Sequence, residues 1–250
     1  MIRIFGPSSG GASSIYQNPV DATWKHFHHD FLNDSANIIQ TDGGSMGIDI
    51  LIGVTGSTHR HLNVAVPSNR YGIHEMIVGT GAGSFSAGST DVFSMSSGGG
   101  EIRTGAAVRI PTLPTDEENF TMAFGINDKS TNLGTNYAVL AVDRAVSTTH
   151  WVTKTKDGTT ENTTVTSVAL SADDYFNLEV ILNAAGTSVD MYIDGVNVLT
   201  SGINLPSGPI NINFHLFRTN NTVVRSLYID WINLLVKPTT ARGAIATWVS

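Results

Sequence analysis

The stretch Tyr175 to Leu199, YFNLEVILNAAGTSVDMYIDGVNVL, constrains the chain more than any other. Phe176, Leu178, Val180 and Leu182 share one parity, and Asn177, Glu179 and Asn183 share the other. That period of two is the mark of a strand with one face buried. Ala184 to Thr187 turns the chain into a second alternating run, in which Val189, Met191 and Ile193 oppose Asp190, Tyr192 and Asp194. Asp194-Gly195 suits a two-residue hairpin, because such a turn needs positive φ at both central positions, and Val196-Asn197-Val198 returns beyond it. The spacing predicts a three-stranded meander with one apolar and one polar face. Three strands alone leave that apolar face in water, so a second sheet must cover it.

Composition fits one all-β domain. The chain has 250 residues, 41% of them hydrophobic, enough for one sizeable core. Only 14% are charged while glycine numbers 25, so hydroxyls and amides cover the polar faces, a pattern suited to strands and tight turns. A net charge of −7 with no basic patch argues against nucleic acid as a partner. With no cysteine there is neither a disulfide framework nor a thiolate metal site. The opening MIRIFGPSSGG is not patterned as a secretion signal, and no run of about 18 apolar residues occurs. The sequence therefore predicts a chain that is neither exported by that route nor membrane-spanning.

In chain order, residues 1–20 read as an N-terminal arm, rich in Gly and Ser after Ile2 to Phe5. Residues 21–236 read as the sandwich domain. WKHFHHDFLN from Trp24 is a strand or an extended lead-in, IDILIGV at 48–54 is a buried strand, and His61 to Val66 alternates until Pro67 stops it. Further strands are predicted at Gly72–Val78, Ala106–Ile110, Phe120–Ile126, Tyr137–Val142, His150–Lys156, Thr164–Leu170 and Ile210–Leu216. Residues 79–100 are Gly- and Ser-rich around Val92-Phe93. The last strand, Arg225–Val236, is apolar on both faces in its second half, which predicts a central place in a sheet and Trp231 in the core. Residues 237–250 are a tail whose Ile245, Trp248 and Val249 are apolar enough to dock on something. About a dozen strands with no helical period and no fixed repeat point to a sandwich or jelly roll.

Motifs that could carry chemistry are thin. A glycosidase needs two carboxyls flanking the scissile bond, about 5–5.5 Å apart for retention. Asp190 and Asp194 share a strand face but stand about 13 Å apart, and Glu117-Glu118 falls in a predicted loop. Gly43-Gly44-Ser45-Met46-Gly47 matches a nucleophile elbow, yet a strand pattern follows where the elbow requires a helix. Gly79-Thr80-Gly81-Ala82-Gly83 likewise lacks a helix for a pyrophosphate. His26, His28 and Asp30, or His59 and His61, place side chains on one strand face, but two such groups are not a metal site. Asp173-Asp174 equally well begins a strand. We expect no catalytic residue, no metal and no cofactor. The candidates for ligand or partner contact are Trp24, Trp151, Trp248 and Ile245.

The succession VRIPTLP, FTMAFGIND, YAVLAVD, HWVTKTKDG, YFNLEVILNAAGTSVDMYIDGVNV and YIDWINLLV resembles the concanavalin A-like lectin/glucanase sandwich, in the laminin-G-like variety found in virion proteins of tailed bacteriophages. The resemblance spans roughly residues 24–236. It rests on the Tyr192–Gly195 hairpin, the Ile229–Ile232 stretch of the last strand and the early Asp30–Leu32. It implies a jelly-roll β-sandwich of two antiparallel sheets with extended N- and C-terminal arms. The Glu-x-Asp-x-Glu run of the glycanase relatives is missing here. The expected role is a non-enzymatic virion structural protein, a capsid decoration, head fibre or tail component, made in the host cytoplasm. Its expected partners are major capsid or tail proteins, further copies of itself in a homo-oligomer, and host-surface glycans, with no nucleic acid and no membrane. A stand-alone carbohydrate-binding lectin is the alternative, and a glycan hydrolase a third reading.

Overall fold

The hairpin read from Asp194-Gly195 forms as its chemistry requires. Both residues take positive φ, 50° and 78°, and the Asp194 carboxylate accepts the Asn177 backbone N–H at 2.8 Å and its side-chain amide at 3.1 Å. The computed structural model describes residues 14–16, 25–29, 49–52, 58–62, 73–80, 85–89, 95–116, 119–128, 133–218 and 224–238. Seventeen strands and no helix occur among them. In chain order they are β1 Ser14–Tyr16, β2 Lys25–His29, β3 Asp49–Ile52, β4 Thr58–Leu62, β5 Ile73–Val78 and β6 Phe85–Ser89. There follow β7 Met95–Ser96, β8 Gly100–Arg109, β9 Phe120–Asn127, β10 Asn136–Asp143, β11 His150–Asp157 and β12 Glu161–Ala169. The last five are β13 Tyr175–Leu182, β14 Val189–Ile193, β15 Val196–Ser201, β16 Pro209–Arg218 and β17 Arg225–Pro238.

All pairings are antiparallel. The first sheet runs β1-β2-β17-β8-β13-β14-β15, with β5 also on β17 and β4 on β5. The second runs β12-β11-β10-β9-β16-β6-β3, with β7 also on β16. Their inner faces share one core. Phe176, Leu178, Val180, Met191, Ile229 and Leu234 from the first sheet meet Phe120, Phe124, Ile126, Leu140, Trp151 and Phe214 from the second. The rings of Phe124 and Phe214 lie 4.6 Å apart, tilted by 34°. This is the expected jelly-roll sandwich: each sheet has one apolar face, and each covers the other.

The strands depart from the sequence reading where local pattern is weak. Ser14–Tyr16, inside the expected N-terminal arm, is an edge strand on β2, and β17 continues two residues past Val236. The apolar run at 48–54 forms β3 at an edge of the second sheet. The Gly- and Ser-rich stretch contains β6, whose small residues carry no alternation to detect. The central place predicted for Arg225–Val236 holds, since β17 lies between β8 and the pair β2 and β5.

Two tryptophans exchange the places expected of them. Trp151, a candidate contact residue, is fully buried, with its ring 5.3 Å from that of Phe176 in an edge-to-face arrangement. Both residues flanking it in HWV fit either face of a strand, so parity alone could not orient it. Trp231, expected in the core, is half-buried on the outer face of the first sheet. The register of β17 against β8 shifts between Ile229 and Trp231, leaving Asp230 as an extra residue. A bulge of this kind changes parity. Leu227 and Ile229 point inward before it, Ile232 and Leu234 after it, and Trp231 is turned out. Trp24, Ile245 and Trp248 lie outside the described residues, as do Gly43–Gly47, Glu117-Glu118 and most of both arms.

Candidate functional site

The bulge in β17 builds the candidate site. Trp231 stands opposite Ala107 on β8, and Asn233 opposite Gly105. The same cross-strand rows continue to Asn177 and Glu179 on β13, and from Glu179 to Tyr192 on β14. The lower row crosses four strands, a span of about 14 Å at the usual strand spacing. Its floor is glycine and alanine, and both are buried. A β-carbon at Gly105 would meet Asn233 Oδ1 at 2.9 Å and Trp231 Cζ3 at 3.3 Å. The indole therefore lies back over the glycine, in a place that any larger residue would take from it. Glu179, Tyr192 and Asn233 are half-buried around it, and Asn177 is exposed. One step along β8, Arg109 lies over the Tyr228 ring at 5.1 Å, donates from Nε to the Asp173 carbonyl at 3.0 Å and pairs with the Asp173 carboxylate. Asp173 thus holds the Arg109 guanidinium from both its carbonyl and its carboxylate.

The outer face of the second sheet carries a different arrangement. Val139, Ala141, Ala123 and Tyr137 form a small apolar cluster there. Above it, Lys154 Nζ stands 2.6 Å from Asp143 Oδ2 and 3.4 Å from Glu161 Oε1. The two carboxylates are thus no more than about 6 Å apart, near the spacing of a retaining glycosidase, about 5–5.5 Å. Their remaining valences are filled. Asp143 Oδ1 accepts the Ala145 N–H at 3.0 Å, Glu161 Oε1 accepts the Thr163 hydroxyl at 2.7 Å, and Oε2 accepts the Tyr137 hydroxyl. Burial opposes ionisation of Glu161, but the hydroxyls of Tyr137 and Thr163 and the Lys154 ammonium outweigh it and hold the carboxyl below its usual range. Burial, reinforced by the Glu161 carboxylate, pushes the Tyr137 phenol up, so it stays a proton donor in this network. A lysine salt-bridged to both carboxylates leaves Glu161 without the proton that a general acid must give.

Farther along the same face His215 is 3% exposed, with no hydrogen-bond partner on either ring nitrogen. Burial holds its pKa down to about 4, so the ring is neutral. Among the described residues no three His, Asp or Glu side chains converge as metal ligands would. Asp190 accepts the Thr200 hydroxyl at 2.5 Å and Asp194 caps its hairpin, so each has a local structural task. The sequence left both Asp143–Lys154–Glu161 and the Trp231 surface unread. The first joins three strands, and the second depends on a one-residue register shift.

The family model of the SO2946-like C-terminal domain matches residues 69–230. The chain belongs to this SO2946-like family. A structure from Shewanella oneidensis MR-1, the protein of unknown function SO2946, superposes with a TM-score of 0.62 at 13% identity, covering 92% of this chain and 94% of that one. The β-glucanase of Bacillus licheniformis superposes at 0.52 with 14% identity, over 84% and 97% of the two chains. The binding domain of botulinum neurotoxin serotype D reaches 0.50 at 12% identity, over 84% and 48%. At such identities these likenesses establish the sandwich fold that the SO2946-like domain shares with them, and nothing about its chemistry. No curated protein matches the chain by sequence.

Proposed function

We propose that this SO2946-like chain is a non-catalytic binding module, carried as a structural subunit of a tailed-phage virion, that contacts a glycan through the outer face of its first sheet. The observation that carries the binding role is Trp231 over Gly105 and Ala107, flanked by Glu179, Tyr192 and Asn233. An aromatic ring beside carboxylate and amide groups, on a floor of small residues, can stack on the apolar face of a sugar while the polar groups take its hydroxyls. The non-catalytic reading is supported by Lys154, which neutralises the one close carboxylate pair described above. The virion role is supported by the likeness of the YIDG hairpin and the YIDWINLLV strand to phage sandwich proteins. The test is a glycan array, followed by titration of any bound glycan. Trp231→Ala is expected to weaken binding at least tenfold without unfolding the protein. Gly105→Ala, which forces the Asn233 amide aside and presses on the ring, should weaken it as well. Release of reducing ends from a polysaccharide that Glu161→Gln abolishes would make the protein an enzyme instead. Detection of the chain in purified particles by mass spectrometry tests the virion role, and a protein found only free would favour a stand-alone lectin.

A further inference from the structure

Among the described residues, one side of the sandwich ends in two strands with no further neighbour, β12 on the second sheet and β15 on the first. A free strand edge is a row of unpaired backbone donors and acceptors, and proteins blunt such edges with lysine, proline or inward charge. This side has none of those. Glu161–Ala169 reads ENTTVTSVA and Val196–Ser201 reads VNVLTS, so the pair holds one charged residue, Glu161, which Lys154 and Tyr137 already occupy. Three of the five exposed big apolar side chains among the described residues lie here too. Val165 on β12 is 47% exposed, Val196 on β15 is 54%, and Ile203, whose carbonyl accepts the Thr155 hydroxyl beside β12, is 61%.

We propose that this side is an interface between two copies of the chain, with β12 meeting the β12 of the second copy antiparallel. The choice of a second copy follows from charge and symmetry. Each chain carries −7, so two copies repel wherever acidic surface meets acidic surface, whereas the one carboxylate of this edge, Glu161, is already paired with Lys154. A Thr/Val ladder has neither pocket nor charge pattern with which to select a foreign peptide. Across a two-fold axis at Thr163 it is complementary to itself, setting Thr163 against Thr163, Asn162 against Thr164 and Glu161 against Val165, so that no two carboxylates face each other. The ladder is also self-limiting. Between the pairs His150 with Ala169 and Val152 with Val165 the register shifts, and the Thr166 hydroxyl accepts the Val168 N–H at 3.2 Å. The regular edge is therefore Glu161–Val165, which favours a closed pair over sheet growth.

Sedimentation velocity of the full chain across a wide range of micromolar concentration tests the interface. The wild type is expected to sediment with at least twice the monomer mass, and Val165→Glu/Val196→Glu, which sets a carboxylate against Glu161 of the second copy, as half that mass with unchanged circular dichroism. Val224→Lys, at an exposed valine before β17, should keep the wild-type mass. Because the chain has no cysteine, Thr163→Cys and Thr164→Cys provide a second readout. A symmetric disulfide needs Cα atoms about 4.4–6.8 Å apart, so at least one of the two should give a covalent dimer on mild oxidation, and Thr187→Cys in the β13–β14 turn should not. A wild type that is monomeric throughout, or a double-glutamate variant that keeps the wild-type mass, would overturn the proposal. So would cross-linking at Thr187 as efficient as at the edge.

Discussion

Replacing Lys154 with methionine probes the network on the second sheet most directly. The ammonium lies 2.6 Å from Asp143 and 3.4 Å from Glu161, and Lys154 and Asp143 are 8% and 9% exposed. Methionine keeps most of the volume and removes the charge, leaving the Asp143 carboxylate with only the Ala145 N–H. Breaking one side of a buried pair costs about 3–5 kcal/mol. Glu161 is more exposed and retains its two hydroxyl donors, so its share is at most about 1 kcal/mol. We expect a net loss of about 3 kcal/mol, read as a fall in Tm of about 6–12 °C for a domain of this size. Urea unfolding followed by tryptophan fluorescence measures it. The companion Lys154→Met/Asp143→Asn removes the stranded charge while keeping an acceptor for Ala145, and should recover all but about 1 kcal/mol. A single variant that loses less than about 1 kcal/mol would refute the reasoning, because the pair would then behave as a solvated surface contact.

Other expectations follow from single residues. His215, neutral in the fold with a pKa near 4 against about 6.5 unfolded, lets the unfolded chain bind a proton first as pH falls. Its contribution is whole above about pH 6.5 and is lost progressively toward pH 4, on the order of 3 kcal/mol. Thermal unfolding across that range should show the loss, and His215→Leu should flatten it. Gly125 has φ +150°, and a methyl there would stand 2.3 Å from the Ala138 carbonyl oxygen. That atom is backbone of the next strand and cannot yield, so Gly125→Ala should cost more than about 3 kcal/mol in chemical denaturation. Trp151→Ala empties a fully buried site beside Phe176 and should cost about 3–5 kcal/mol. If it remains folded it should bind glycan as the wild type does, which separates this tryptophan from Trp231.

Local pattern alone was enough to specify most of the sandwich. The meander β13–β15, the Asp194-Gly195 hairpin, the end of β8 from Ala106, the strands β9 to β11 and β16, and the central place of β17 are all carried by alternation and turn chemistry, which act over a few residues and are written in order. Three things were decided only in tertiary structure. Trp231 went outward because one extra residue, Asp230, changes the parity of β17 relative to β8, and a register shift has no signature within the strand that bears it; Trp151 went inward on β11, where its neighbours fit either face. Asp143, Lys154 and Glu161 became one network because antiparallel pairing brings positions from β10, β11 and β12 together across the sheet, a juxtaposition independent of their spacing along the chain. The open side at β12 and β15 exists because of which strands come last in each sheet. Sheet order is settled by how two apolar faces cover each other, so the same sequences would be ordinary in the middle of a sheet and leave backbone groups and valines exposed at its edge.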